Sequence, residues 1–257
     1  MKKLRIPLTA GLLLLCLIPG ANAGFFDRWK KEPTYAKTQY PIVMVPGAFA
    51  FDNAFGILDY WHGITDELRD EGADVYVTNL SSLALHETRG EELLASVEEI
   101  LAMTGAEKVN LIAHSQGATA ARYVAALRPE WIASVSCTHC MNEGTHFATN
   151  LDEALEDGSF LKTAGVALIS GLFNIIESGS AKPSDGDYNS PENGEQDAKA
   201  LLISASREDY DRFNALYPQA MPTVDCSIIN TGIDGHTGGG EHIVNGVRYY
   251  SWGGKKA

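Results

Sequence analysis

Short apolar runs rich in β-branched residues alternate with segments of helical periodicity from Tyr40 onward. Four of these runs are predicted to be buried strands, at residues 42–45, 74–78, 109–113 and 132–137. Three intervening segments place apolar residues three and four positions apart, which predicts helices at residues 61–71, 91–103 and 117–127. Strands and helices that alternate in this way form a parallel sheet with crossover helices. The sequence therefore predicts an α/β fold, with a mostly parallel central sheet flanked by helices.

Composition and charge narrow the classes of protein to be considered. The chain has 257 residues, of which 45% are hydrophobic, and this excludes disordered and fibrous classes. It carries 20 Lys and Arg against 33 Asp and Glu, which gives a formal net charge of −13 at pH 7. A nucleic-acid-binding protein needs a basic surface, so this balance argues against such a partner. We expect one domain over residues 24–257.

The first 23 residues have the three parts of an export signal. Basic residues at the start are followed by an apolar run at residues 12–18 and then by Ala21-Asn22-Ala23, which has the small residues of a cleavage site. The apolar run is too short to be a stable transmembrane anchor. We therefore expect a cleaved signal peptide at residues 1–23 and a secreted protein that passes through the periplasm.

The second half of the chain has a looser pattern. Residues 160–176 are apolar on nearly every face, so the segment at about 158–177 is either a buried helix or a movable lid. Residues 178–199 are rich in Ser, Gly, Pro, Asp and Glu, which predicts a flexible loop. The remaining predicted elements are a helix at 208–216, strands at 223–229 and 247–252, and a glycine-rich loop at 231–241.

The pentapeptide Ala113-His114-Ser115-Gln116-Gly117 lies between a predicted strand and a predicted helix. A serine on so sharp a turn needs small residues two positions before and after it, and Ala113 and Gly117 meet that need. The start of the helix also places backbone N–H groups beside the hydroxyl, where an oxyanion would form. This setting favours Ser115 as a nucleophile over an ordinary turn serine. For His114, which adjoins Ser115, we expect a structural role.

A second turn, Met44-Val45-Pro46-Gly47-Ala48, follows the first sheet strand. In a fold of this kind, the loop after that strand supplies a second backbone N–H to the oxyanion. Taken alone, the turn is compatible with an ordinary end of a strand. Together with Ser115, it predicts a backbone donor at this loop.

Several blocks of sequence closely resemble the bacterial true lipases of the Pseudomonas type. The early blocks are YPIVMVPG at 40–47, FDN at 51–53, DYWHGI at 59–64 and VNLIAHSQG at 109–117. The resemblance resumes with RFNALYPQAMPT at 212–223 and VNGVRYYSWGG at 244–254. It implies an α/β-hydrolase fold and a secreted carboxylic ester hydrolase, most like a triacylglycerol lipase, with a Ser-Asp-His triad.

The resemblance also assigns roles residue by residue. Ser115 matches the nucleophile, and the backbone N–H groups of Gln116 and Ala48 match the oxyanion hole. The apolar segment at 160–176 falls where the family carries its lid. The implied partners are a lipid or ester substrate at an interface and a periplasmic lipase-specific chaperone.

Some positions depart from the family pattern. Pro46 stands where the family has a histidine, and Ala48 is smaller than the usual residue. The segment Cys137-Thr-His-Cys-Met-Asn replaces a Gly-Ala-Pro-like turn. The family's triad acid and histidine, its calcium ligands and a second disulfide cysteine would follow the block at 244–254, whereas this sequence stops at Ala257. We therefore expect a form shortened at the C-terminus, without some of the family's last strands and without an assignable cofactor.

The residues left over offer alternatives. Candidates for the triad acid and histidine are Asp225, Asp234, His236 and His242, although Asp234 and His236 share one loop, whereas a triad needs separate loops. The competing interpretation is a catalytically impaired lipase homologue that only binds lipid or a partner. An active-site organophosphonate would label Ser115 in the first case and not in the second.

The cysteines form an odd set once Cys16 leaves with the signal peptide. Cys137, Cys140 and Cys226 remain, and pairing is the rule in an oxidising compartment. The Cys-x-x-Cys spacing is compatible with a local or exchangeable disulfide or with buried thiols. With His139 and His146 it also allows a zinc site, but one such cluster is a weak signal.

Overall fold

The computed structural model describes residues 35–48, 60–146, 148–150, 160–179, 184–185, 188–189, 197–221 and 242–253. The predicted signal peptide, the strand predicted at 223–229 and the glycine-rich loop at 231–241 lie outside these ranges.

The centre of the molecule is a sheet of six strands. They are β1 (Ile42–Val45), β2 (Val75–Val77), β3 (Val109–His114), β4 (Ile132–Thr138), β7 (Ile243–Val244) and β8 (Val247–Trp252). Their order in the sheet is β2-β1-β3-β4-β8-β7, and all neighbours are parallel except β7 and β8. Two short strands, β5 (Ser184–Asp185) and β6 (Tyr188–Asn189), form a separate antiparallel pair. The predicted mostly parallel α/β sheet is confirmed.

The register brings the carboxyl ends of four strands to one edge. Val45 of β1 lies beside Ala113 of β3, and His114 of β3 lies beside Thr138 of β4. Thr138 in turn lies beside Trp252 of β8. Because the carboxyl edge of a parallel sheet is where loops converge, the turns after β1, β3 and β4 meet there.

A short 3-10 helix (Pro129–Trp131) and several α-helices accompany the sheet in the described part of the chain. Six of these α-helices are α1 (Ile64–Asp70), α2 (His86–Thr104), α3 (Gly117–Leu127), α4 (Phe160–Gly179), α5 (Ala198–Ala205) and α6 (Arg207–Leu216). The prediction for α1 began three residues too early, and that for α2 began five residues too late. Gly90 lies inside α2, and a Cβ there would come within 2.5 Å of the Tyr123 ring on α3. A residue with poor helix propensity is thus retained in α2 because packing against α3 requires it.

The main core lies where α2 and α3 pack on β1, β3 and β4. Its fully buried members include the apolar side chains Val43, Leu93, Val97, Ile100, Leu111, Val124 and Ile132. Burying one such side chain is worth roughly 1.5–3 kcal/mol relative to exposure. This core holds α3 firmly against β3, so the turn between them is set by packing on both sides.

The apolar segment is a helix on the surface of the described structure. On α4, Leu168 is 74% exposed and Ile169 is 44% exposed, whereas Val166 packs against the cluster of Leu83 and Ala198. The segment is therefore neither wholly buried nor polar on its outer face. Among the residues described, no helix combines the length and apolarity that a membrane crossing requires.

The loop predicted at about 178–199 overlaps a helix by two residues at each end. Helix α4 continues to Gly179, and helix α5 already begins at Ala198. The α5 start is stabilised by Asp197, whose side chain accepts the Lys199 N–H at 2.8 Å, and by Ser170 of α4, whose hydroxyl accepts the Ala198 N–H at 2.8 Å. The second contact comes from another helix, so local sequence did not reveal this boundary.

Candidate active site

Ser115 occupies the turn between β3 and α3 in a left-handed backbone conformation, with φ at 53°. Its N–H donates to the Thr138 carbonyl at 3.3 Å, and its carbonyl accepts the Met141 N–H at 3.2 Å. Positive φ at a residue with a side chain costs about 1–3 kcal/mol and persists where the surroundings hold it. The end of β4 and the turn after it supply that support.

Two glycines permit the close approach of the turn after β1 to the turn after β3. A Cβ on Gly117 would lie 2.7 Å from the carbonyl oxygens of both Val45 and Pro46. A Cβ on Gly47 would lie 2.8 Å from the Ser115 Cβ. The Gly47 backbone therefore lies against Ser115, and the carbonyls of Val45 and Pro46 lie against Gly117.

A relay of polar groups fixes Gly47 from one side. The Gly47 N–H donates to the Tyr60 hydroxyl at 3.1 Å, and that hydroxyl is hydrogen-bonded to His114 Nδ1. Burial lowers the pKa of His114, and the nearby His139 lowers it further. Through its hydrogen bond with the Tyr60 hydroxyl, His114 braces the turn after β1.

Arg89 of α2 holds the same turn through side-chain hydrogen bonds. It is fully buried, and its Nη2 donates to the carbonyls of Pro46 at 2.6 Å and Gly47 at 3.1 Å. Its Nη1 donates to the Ser81 carbonyl. No motif in the sequence predicts this role for Arg89. Its partners Pro46 and Gly47 lie 43 and 42 residues away in sequence, so only an apolar helix face interrupted by an arginine could have signalled it.

Gln116 is the N-cap residue of α3 and is almost wholly buried. Its backbone N–H lies at the positive end of the helix dipole, where an anion is stabilised. Its side chain does not face a substrate, since Nε2 donates to the Ser204 hydroxyl of α5 at 2.7 Å. Ser204 in turn donates to the Leu201 carbonyl at 3.1 Å. No motif in the sequence predicts this contact for Ser204.

The turn after β4 lies on the other side of Ser115. His139 has φ at 49° and donates its N–H to the Trp252 carbonyl at 2.9 Å. Cys137 is buried, Cys140 is half-buried, and both are free thiols. Within the described ranges no group of three or more His, Cys, Asp or Glu side chains is placed to hold a metal, so Cys137, Cys140, His139 and His146 do not converge as the zinc alternative required.

The described residues do not identify the triad acid and histidine. Asp225, Asp234, His236 and Cys226 lie outside the described ranges. His242 is exposed just before β7, and its carbonyl accepts the Tyr249 N–H at 2.8 Å. The structure thus brings Ser115 together with the turns that carry Ala48 and Gln116, and leaves the base unassigned.

A strand, a serine turn with positive φ and a helix, set at the carboxyl edge of a parallel sheet, define an α/β hydrolase. The family model described as "alpha/beta hydrolase fold" matches residues 40–158. A triacylglycerol lipase of Vibrio cholerae serotype O1 is 41% identical over 86% of this chain and 64% of its own length. One from Pseudomonas fragi is 37% identical over 84% of this chain and 67% of its own length.

The chain belongs to the bacterial triacylglycerol lipase family of the α/β hydrolases. It spans about two thirds of the length of these curated relatives, from 64% to 67%. Among solved structures, the mature Bacillus licheniformis lipase BlEst2 matches with a TM-score of 0.45 and 17% identity, over 74% of this chain and 62% of that one.

Proposed function

We propose that this protein is a secreted carboxylic ester hydrolase that acts on acylglycerol esters through Ser115 and an acyl-enzyme. The observation that carries the proposal is the left-handed Ser115 between β3 and α3, with the Gly47 backbone packed against its Cβ. A hydroxyl raised on such a turn is accessible to an ester and lies beside two sets of backbone donors.

In the first step, Ser115 Oγ attacks the ester carbonyl and the negative charge moves to the carbonyl oxygen. The N–H of Gln116, at the start of α3, is one donor to this oxyanion. The resemblance to the lipases implies that the Ala48 N–H is the second donor, and the neighbouring Gly47 N–H is engaged by Tyr60. Collapse of the intermediate releases the alcohol, and water then hydrolyses the acyl-enzyme.

The Ser115 proton requires a base, which in this family pattern is a histidine oriented by an acid. His114 is unsuited to that role because its Nδ1 is bonded to Tyr60 in the brace of the turn after β1. Asp225, Asp234, His236 and His242 remain the candidates for the acid and the histidine. Removing a triad member costs several orders of magnitude in rate and leaves residual catalysis from the oxyanion hole.

The substrate class is supported by two features. The relatives are named triacylglycerol lipases, and α4 exposes Leu168 and Ile169. An amphipathic or apolar helix face is favourable at a lipid surface, so α4 is assigned the role of a lid that opens there. Export through the signal peptide at 1–23 and folding with a periplasmic lipase-specific chaperone complete the proposal.

The test combines active-site labelling with turnover. The full chain is treated with a fluorophosphonate, the labelled residue is located by peptide mass spectrometry, and hydrolysis of a p-nitrophenyl ester is measured. We expect label on Ser115 and loss of both label and turnover in Ser115→Ala, whereas Ser251→Ala, a change at an exposed serine of β8, has no effect. If label and turnover are absent from the folded wild-type chain, the hydrolase proposal fails and the lipid-binding alternative stands.

A further inference from the structure

Cys137 lies in β4 and Cys140 in the turn after it, next to the Ser115 turn. Cys137 ends the buried part of β4 and lies beside Ala113 in the strand register. The Cys140 thiol donates to the Ala113 carbonyl, 3.6 Å away, and interacts with the Cys137 side chain. Two free thiols in mutual contact, separated by two residues, are close enough to become a disulfide after a small movement of the turn.

The surroundings make the two sulfurs unequal. The interaction with Cys140 lowers the pKa of Cys137 against the effect of burial, and the buried guanidinium of Arg122 lowers it further. The interaction with Cys137 and burial raise the pKa of Cys140. Arg122 is held in place by the Gln219 carbonyl and the Asn214 side chain, each at 2.8 Å. Cys140 is the more exposed of the two sulfurs, so a disulfide in solution reaches it before the buried Cys137.

We propose that Cys137 and Cys140 are a reversible thiol–disulfide couple, a modification site that reacts with disulfides of small thiols such as glutathione disulfide. In the first exchange, the exposed Cys140 sulfur bonds to one sulfur of the oxidant, and the other leaves as a thiol with the Cys140 proton. In the second, Cys137 attacks the Cys140 sulfur and the remaining small thiol leaves with the Cys137 proton. The protein loses two electrons and two protons, and the oxidant is reduced to two thiols.

Two backbone hydrogen bonds connect Ser115 to the segment that carries the two cysteines. The Thr138 carbonyl accepts the Ser115 N–H, and the Met141 N–H donates to the Ser115 carbonyl. A disulfide brings its sulfurs to about 2.05 Å, closer than any hydrogen bond, so the turn at Thr138 and His139 tightens. The disulfide form therefore displaces the peptide that holds Ser115. This consequence for rate rests on the proposed ester hydrolysis, whereas the couple itself does not.

The primary experiment measures the thiols and not activity. The full chain is equilibrated in buffers of graded reduced and oxidised glutathione, quenched with acid, alkylated and mapped by peptide mass spectrometry. We expect the peptide with Cys137 and Cys140 to lose the mass of two hydrogens in oxidising buffer and to recover it in reducing buffer. The variant Cys137→Ser should accumulate glutathione on Cys140, and Cys140→Ser should leave the buried Cys137 unmodified. Cys226→Ser is the matched control and should leave the couple unchanged.

Two results would overturn the couple: thiols at 137 and 140 that remain alkylatable at every glutathione ratio, or either cysteine linked to Cys226 instead. A separate arm compares ester hydrolysis by the two forms. We expect a fall of about tenfold or more in the oxidised form, because small misplacements of a nucleophile are costly. The Cys137→Ser/Cys140→Ser double variant should hydrolyse equally in both buffers. If no form hydrolyses ester, the hydrolase proposal fails while the mass measurement still decides the couple.

Discussion

The Arg89 side chain and the Gly47 carbonyl are joined by a buried hydrogen bond of 3.1 Å, across 42 residues of sequence. The same nitrogen of Arg89 also donates to the Pro46 carbonyl at 2.6 Å. Helix α2 thus determines the path of the turn that precedes Ala48, the proposed second oxyanion donor. A buried arginine far from the serine is therefore a positioning residue for the proposed reaction.

Arg89→Met should remove this support. The buried carbonyls of Pro46, Gly47 and Ser81 would lose a donor, at about 1–3 kcal/mol for each unsatisfied group, and kcat should fall more than KM changes. Arg89→Lys should recover only part of both losses, since an ammonium lacks the planar fork. Urea unfolding and steady-state kinetics check this. Wild-type kcat in a folded Arg89→Met chain would contradict the positioning role.

Gly117→Ala should destabilise the fold and reduce turnover. Its new Cβ would meet two backbone carbonyls at 2.7 Å, neither of which can rotate away. We expect a loss of about 1–3 kcal/mol, typical of overpacking. Gly165→Ala is the matched control in α4, where a Cβ meets nothing within 4 Å, and it should be neutral or stabilising. If the two variants have the same denaturant midpoint, the close approach of Gly117 to the Val45 and Pro46 carbonyls does not limit stability.

Ser115→Gly and Ser115→Ala should separate backbone strain from chemistry. Both lack the nucleophile and should be inactive. Only glycine relieves the strain at φ 53°, so Ser115→Gly should be about 0.5–1 kcal/mol more stable than Ser115→Ala. Thermal unfolding of the pair measures this difference. If Ser115→Ala is more stable than Ser115→Gly, the backbone of the turn is not strained.

Stability should fall between about pH 6.5 and pH 4 because of His86. This side chain is buried between Tyr210 and Phe213, and its Nε2 lies 3.6 Å from Asp209 Oδ2. Burial lowers the pKa of His86 to about 4, although the negative charge of Asp209 acts to raise that pKa. The unfolded chain therefore binds the extra proton first as pH falls, and stability of about 3 kcal/mol is lost over that window.

The measurement is the free energy of unfolding in urea at a series of pH values. His86→Phe, which suits the aromatic surroundings, should flatten the slope above pH 4. His62→Gln, at an exposed histidine, should keep the wild-type slope. Equal slopes in His86→Phe and wild type would assign the pH dependence to other groups.

Leu168→Ser/Ile169→Ser should test the surface role of α4. Replacing both exposed apolar side chains should lower hydrolysis of an emulsified triacylglycerol by about tenfold or more, because less apolar area enters the lipid surface. Hydrolysis of a soluble short-chain ester should stay unchanged. Thr163→Ser, at another exposed position of α4, is the control. Equal losses on both substrates would point to a folding defect instead.

The sequence by itself determined the parallel strands β1 to β4, helix α3 and the serine turn between β3 and α3. These features depend on local periodicity and on small residues at fixed offsets, such as Ala113 and Gly117 around Ser115. Even for regular elements, local sequence patterns did not give every boundary. Helix α2 was predicted to begin after Gly90, whereas contact with Tyr123 retains that glycine inside the helix.

Only the tertiary structure decided how the site is held. The contacts of Arg89 with the turn after β1 and of Gln116 with Ser204 join residues 42 to 88 positions apart. The pKa of Cys137 is likewise lowered by its interaction with Cys140 and by Arg122 of α3, which lies 15 positions earlier in the sequence. Such contacts leave no periodic trace in the chain. They exist because the core packs α2 and α3 on the sheet and brings α5 against Gln116, and that arrangement is a property of the whole fold.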